Sequence, residues 1–89
     1  MTKLKEIKSA LALVPEWTRK GQTITRTFQF ADFPAAIRFV NSVAKLAEKA
    51  RHHPDIDIRW NKVTLSLTTH DSGGLTDKDI KLAKQLDRL

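Results

Sequence analysis

The chain has no cysteine among its 89 residues, which excludes disulfides, thiolate metal sites and cysteine nucleophiles outright. Three glycines and three prolines are too few for a disordered chain. No apolar run approaches the roughly 20 residues needed to span a bilayer. The N-terminal MTKLKEIKSALALVPEW is basic, but charge interrupts it before a signal-peptide core forms. The expectation is a soluble, cytoplasmic protein with no membrane partner.

What is present suits a globular domain: 40% hydrophobic residues, with two Trp and four Phe. Single cores split only beyond roughly 250 residues, so residues 1–89 are read as one domain. A domain near this size buries roughly 60–65% of its unfolded surface, which leaves a thin core that subunit association would reinforce. The net charge of +6 lies mainly at the front, where residues 1–26 carry six basic and two acidic side chains, against six of each over residues 52–89. That distribution reads as a solvated basic surface, and nucleic acid is not an expected partner.

Leu4, Ile7, Leu11 and Val14 recur at helical spacing and predict a first helix ending near Pro15. In EWTRKGQTITRTFQF, Trp17 opens a short strand, Lys20-Gly21 supplies a turn, and Ile24, Arg26, Phe28 and Phe30 alternate with polar residues. Asp32 is a cap and Pro34 suits a first helical turn, so DFPAAIRFVNSVAKLAEKARHH is the longest predicted helix. Its apolar stripe is Phe33, Ile37, Val40, Ala44 and Ala47, and Pro54 closes it near His52 and His53. A second hairpin pairs the alternations at Ile56, Ile58, Trp60 and at Val63, Leu65, Leu67 across Asn61-Lys62. His70 shares the parity of Thr64, Ser66 and Thr68 and so leaves the apolar face. Thr76 with Asp79 forms a capping box for a closing helix that buries Ile80, Leu82, Ala83, Leu86 and Leu89. The fold class is α+β: a four-stranded antiparallel sheet with three helices on one face, in the order α-β-β-α-β-β-α.

The three histidines fall within one short region. On a helix, the four-residue spacing of Glu48 and His52 puts them on one face, where the carboxylate would orient the imidazole. The bland alternative is a polar helix end followed by an unrelated strand histidine. No H-E-x-x-H spacing is present and adjacent histidines converge poorly on one ion, so no metal site is expected. A serine hydrolase has no G-x-S-x-G elbow to support it.

EKARHHP, then WNKV and TTHDSGGLTDKDIKLA, closely resemble the pterin-4a-carbinolamine dehydratases, also called 4a-hydroxytetrahydrobiopterin dehydratases. The pattern is E-x-x-x-H-H-P, an aromatic six residues beyond the proline, a histidine ten further and an aspartate nine beyond that. Glu48, His52, His53, Pro54, Trp60, His70 and Asp79 meet it, and EW and FQFADFPAAIRFV extend the match upstream to about Pro15. One departure is Ile56, where some members carry an aromatic.

The resemblance implies dehydration of a 4a-hydroxytetrahydropterin to the quinonoid dihydropterin, in support of aromatic amino acid hydroxylation, with no metal or redox cofactor. It implies His52 and His70 as the acid/base pair, with Glu48 orienting His52. His53, Pro54, Trp60, Thr69, Asp71 and Asp79 make up the implied pterin-binding set, with backbone groups around TTHDS reading the edge of the ring. It also implies a homodimer or homotetramer. The competing function is a non-catalytic binding module, a dimerisation partner or transcriptional coactivator, which would have no need of the complete histidine set.

Overall fold

Both hairpins of the sheet turn one residue away from where side-chain alternation puts them. The computed structural model describes residues 9–69 and 75–89. β1 (Thr18–Lys20) and β2 (Thr23–Gln29) pair with Lys20 opposite Thr23, so the turn is Gly21-Gln22 rather than Lys20-Gly21. Gly21 takes φ +58°, a conformation that costs glycine little because it has no Cβ. β3 (Asp55–Arg59) and β4 (Lys62–Leu67) pair with Arg59 opposite Lys62, so the second turn is Trp60-Asn61 rather than Asn61-Lys62. Trp60 is held at φ +52°, an uncommon place for a bulky side chain. Long-range bonds hold the turn: the Phe30 amide donates to the Asn61 carbonyl at 2.8 Å and Asn61 Nδ2 donates to the Phe30 carbonyl at 2.9 Å.

The strand order is β1-β2-β4-β3, all neighbours antiparallel. The register pairs Ile24 with Leu67, Arg26 with Leu65 and Phe28 with Val63, placing these six on one face. On the other face Thr25 Oγ1 meets Ser66 Oγ at 3.2 Å and Thr27 Oγ1 meets Thr64 Oγ1 at 2.8 Å, a row of hydroxyls across the central strands.

Among the described residues three helices accompany the sheet, in the order α-β-β-α-β-β-α. The described part of α1 is residues 9–11. Leu11 packs against the core and Val14 is fully buried, whereas Leu4 and Ile7 lie outside the described residues. α2 (Phe33–Ala50) starts as its sequence dictates, with Asp32 accepting from the Ala35 amide at 2.9 Å and a proline in the first turn. Its buried side is Ala36, Phe39, Val43 and Ala47, which shares only Ala47 with the predicted stripe. The two stripes are offset by roughly 75° at about 100° per residue, so Phe33 and Ala44 face outward. Burial follows Phe39, which lies 4.7 Å from Phe28 and 4.9 Å from Phe30 between ring centroids. α3 (Asp77–Leu86) buries Ile80, Leu82, Ala83 and Leu86, while Leu89 is exposed because the helix has already ended.

The inward-facing Arg26 of β2 is accommodated by stacking over Phe28, 4.2 Å from its centroid, and by donating from Nη1 to Asp87 Oδ1 at 2.6 Å. The same carboxylate oxygen accepts from Nε1 of the buried Trp17 at 2.8 Å. Asp87 therefore ties the end of α3 to the start of the first hairpin. Asp87→Ala leaves both donors without their acceptor and is expected to cost about 2–3 kcal/mol. At about 4–8 °C per kcal/mol for a domain of this size, the melting temperature should fall by about 10–20 °C in a thermal unfolding scan.

Candidate functional site

The exit of α2 decides where the histidines go. The helix stops at Ala50, Arg51 adopts left-handed φ +54°, and the amides of Arg51 and His52 turn back to the carbonyls of Glu48 and Ala47 at 3.2 and 3.1 Å. This is the usual hydrogen-bonding solution for a helix end, here with arginine where glycine is common. His52 and His53 thus stand beyond the helix, and the spacing argument that joined Glu48 to His52 does not apply. Glu48 Oε2 instead lies 2.7 Å from His53 Nε2, and His52 Nε2 lies 2.5 Å from Asp79 Oδ1.

The two pairs differ in surroundings. The side chains of His52 and Asp79 are 14% and 0% exposed, whereas those of His53 and Glu48 are 65% and 79% exposed. A pair in open solvent contributes little fixed geometry, whereas a buried one is held.

Asp79 comes from the first turn of α3, where it completes the capping box with Thr76. Its Oδ2 accepts from the Thr76 amide at 3.0 Å and from Thr69 Oγ1 at 2.7 Å. An ionised carboxylate only accepts, so Thr69 must donate to it, and the 3.0 Å contact between Thr69 and Thr76 hydroxyls then runs from Thr76 to Thr69. By the same rule His52 donates its Nε2 proton to Asp79, leaving Nδ1 as the nitrogen that can exchange a proton. Among the described residues Nδ1 has no hydrogen-bond partner.

His52 lines a cavity of about 340 Å³ between the end of α2 and α3. The other polar groups along it are Lys49, Lys78, Lys81 and Gln85, with Leu82 on the apolar side. Spacing in the sequence singled out none of these, since they come from two elements and converge only in the fold. The one available signal was the pair Lys78 and Lys81, which flank Asp79 and share a helix face.

Of the predicted site residues, the fold brings together His52, Asp79 and Thr69, with His53 and Glu48 beside them on the surface and Pro54 where the chain leaves toward β3. Trp60 is not brought there. It lies across the five residues of β3, roughly 16 Å away at about 3.3 Å per residue, and is 71% exposed. His70 and Asp71 lie outside the described residues, though His70 directly follows Thr69 in the chain. Among the described residues no helix is long and apolar enough to cross a membrane.

Residues 2–89 match the family described as pterin 4 alpha carbinolamine dehydratase. A protein of Roseiflexus sp. (strain RS-1), provisionally named a pterin-4-alpha-carbinolamine dehydratase, is 62% identical over 84 residues, covering 94% of this chain and 90% of the relative. A protein of Sulfurisphaera tokodaii with the same provisional name is 48% identical over 85 residues, covering 96% and 91%. Among solved structures, a transcriptional coactivator/pterin dehydratase from Brucella melitensis superposes with a TM-score of 0.91 at 35% identity, covering 98% of this chain and 95% of the other. A pterin dehydratase-like protein identified as a RuBisCO assembly factor in the alpha-carboxysome shares the fold, with a TM-score of 0.71 at 21% identity over 82% and 87% of the two chains.

Proposed function

The chain belongs to the pterin 4 alpha carbinolamine dehydratase family, and from that membership we propose that it removes water from a 4a-hydroxytetrahydropterin to give the quinonoid dihydropterin. The C4a–O bond breaks as one group protonates the departing hydroxyl to water, while a second group accepts the N5 proton and the C4a=N5 double bond forms. One proton is given and one is taken, so the pair of groups ends with its proton count unchanged. Two imidazoles suit this, since each can hold or release a proton near neutrality. His52, through Nδ1, and His70 fill those roles in this reading.

The observation that carries it is the buried carboxylate of Asp79, bonded at once to His52 and to Thr69, the residue before His70. One acceptor thereby steadies the chain next to both imidazoles. Glu48 acts through His53, which positions the pterin together with Pro54 and Asp71. The test is stopped-flow dehydration of a hydroxylase-generated 4a-hydroxytetrahydropterin. The folded protein should accelerate it well above the uncatalysed rate, and no acceleration would sink the proposal.

The second reading is a non-catalytic transcriptional coactivator or dimerisation partner; its support is the coactivator half of the Brucella relative's name, which also calls that protein a pterin dehydratase. That reading predicts partner binding that His52→Ala leaves intact. In the catalytic reading the protein works in the cytoplasm beside an aromatic amino acid hydroxylase, with no bound cofactor and no nucleic acid.

Self-association into a dimer or tetramer accompanies either reading. β3 is a sheet edge whose five residues are all exposed, Ile56 and Ile58 included, and Trp60 extends this apolar margin. Such an edge is open to pairing with another chain, and Phe33, Ile37 and Val40 on α2 offer a second incompletely covered stripe. Ile58→Lys is expected to lower the mass seen by sedimentation equilibrium while the monomer remains folded. A mass equal to that of the wild type would move the contact away from β3.

A further inference from the structure

We propose that the cavity beside His52 seats an anionic side chain of the substrate, so that the pterin carries a phosphate ester or a carboxylate on its ring substituent. The identification of the ligand as a pterin rests on the dehydratase reading, whereas the charge of its side chain rests on the cavity. Three lysines line that cavity: Lys49 from the last turn of α2, and Lys78 and Lys81 from α3. Lys78 and Lys81 are three residues apart and share one helix face. No carboxylate lines the cavity among the described residues, and none of the three lysines makes an ion pair among them.

Of the acids adjoining these lysines along the chain, Asp79 is fully buried and engaged by His52, Thr69 and Thr76, and Glu48 meets the His53 ring. Asp77 lies on the first turn of α3 without lining the cavity. Lys78 lies in the first turn of α3 between Asp77 and Asp79, while Lys49 and Lys81 bring two further cations to the same cavity. A neutral side chain would do nothing to relieve these like charges. A phosphate or carboxylate would accept charge-assisted hydrogen bonds from them, while Leu46 and Leu82 supply an apolar wall for the ring. A volume of about 340 Å³ is at the lower end of the range for small-molecule sites.

The test is calorimetric titration of the wild type at low salt with three stable reduced pterins that lack the 4a-hydroxyl. One has a neutral side chain, one the same side chain phosphorylated, and one a side chain ending in glutamate. At least one anionic pterin should bind about tenfold or more tightly than the neutral one, and comparing the two anionic arms identifies the source of the charge. The preference should shrink toward unity in 1 M salt, where the Debye length is about 3 Å. It should also shrink in K78Q/K81Q, but not in Lys62→Gln, which removes a charge from the exposed start of β4. Equal affinities, no measurable binding of any of the three, or a preference untouched by K78Q/K81Q would overturn the inference. Stopped-flow turnover of the neutral substrate separates the two readings. Turnover with equal affinities removes the anion seat and leaves the dehydratase standing, whereas an anion preference with turnover of neither the neutral nor the anionic 4a-hydroxytetrahydropterin does the reverse.

Discussion

His52→Ala is expected to lower kcat for pterin dehydration by about 10²–10⁴-fold, the usual contribution of a positioned acid or base. The variant should remain folded, because Asp79 keeps its bonds from Thr69 and the Thr76 amide when the imidazole is gone. Thermal unfolding checks that condition before kinetics are compared. The removed ring adjoins the cavity at the end of α2, so free imidazole has room to enter and should restore part of the lost rate. His70→Ala should cause a loss of similar size. Because the two imidazoles act on one event, the double variant should be little worse than either single one. A folded His52→Ala protein within about threefold of the wild-type rate would remove His52 from the proton transfer.

The two helix starts are legible in the sequence. Asp32 with Pro34 at the start of α2, and Thr76 with Asp79 at the start of α3, are caps whose partners lie within three residues, so spacing alone identifies them. Strand alternation likewise gave the inward faces of β2 and β4. Features set by distant contacts were displaced. The second turn falls on Trp60-Asn61 because Asn61 is bonded to Phe30 across 31 residues. The buried stripe of α2 is rotated because Phe39 packs between aromatics of β2 and its end.

The histidine region shows the same division. Glu48 and His52 look like a helical pair only if the helix continues to His52, and nothing at Arg51 marks a left-handed cap in the way glycine or asparagine would. Once the helix stops at Ala50, His52 finds its carboxylate 27 residues further on. Asp79 could be read as a cap from its neighbours. Its second role, joining His52 to Thr69, becomes visible only when α3 is laid against the end of α2.

That double role makes Asp79 the position where stability and catalysis can be separated. Asp79→Ala removes the acceptor for three donors from a fully buried site and should cost about 3–5 kcal/mol. Against a total of about 5–15 kcal/mol for a small domain, that loss threatens folding at physiological temperature. Asp79→Asn nearly preserves the shape, and its amide oxygen can still accept from the Thr76 amide and Thr69. Its NH₂ group then points at His52, where a donor now meets Nε2. The ring must present Nε2 as an acceptor and carry its proton on Nδ1, the reverse of the tautomer the carboxylate imposes. The expected result is a protein that melts within a few degrees of the wild type yet loses about 10²–10⁴-fold in kcat, the scale of penalty seen when an Asp-to-Asn change fixes the wrong tautomer of a histidine. The tautomer change is itself observable in the ¹⁵N chemical shifts of the His52 ring. If Asp79 were only a helix cap, Asp79→Asn would keep both its melting temperature and its turnover, and the ring shifts of His52 would not move.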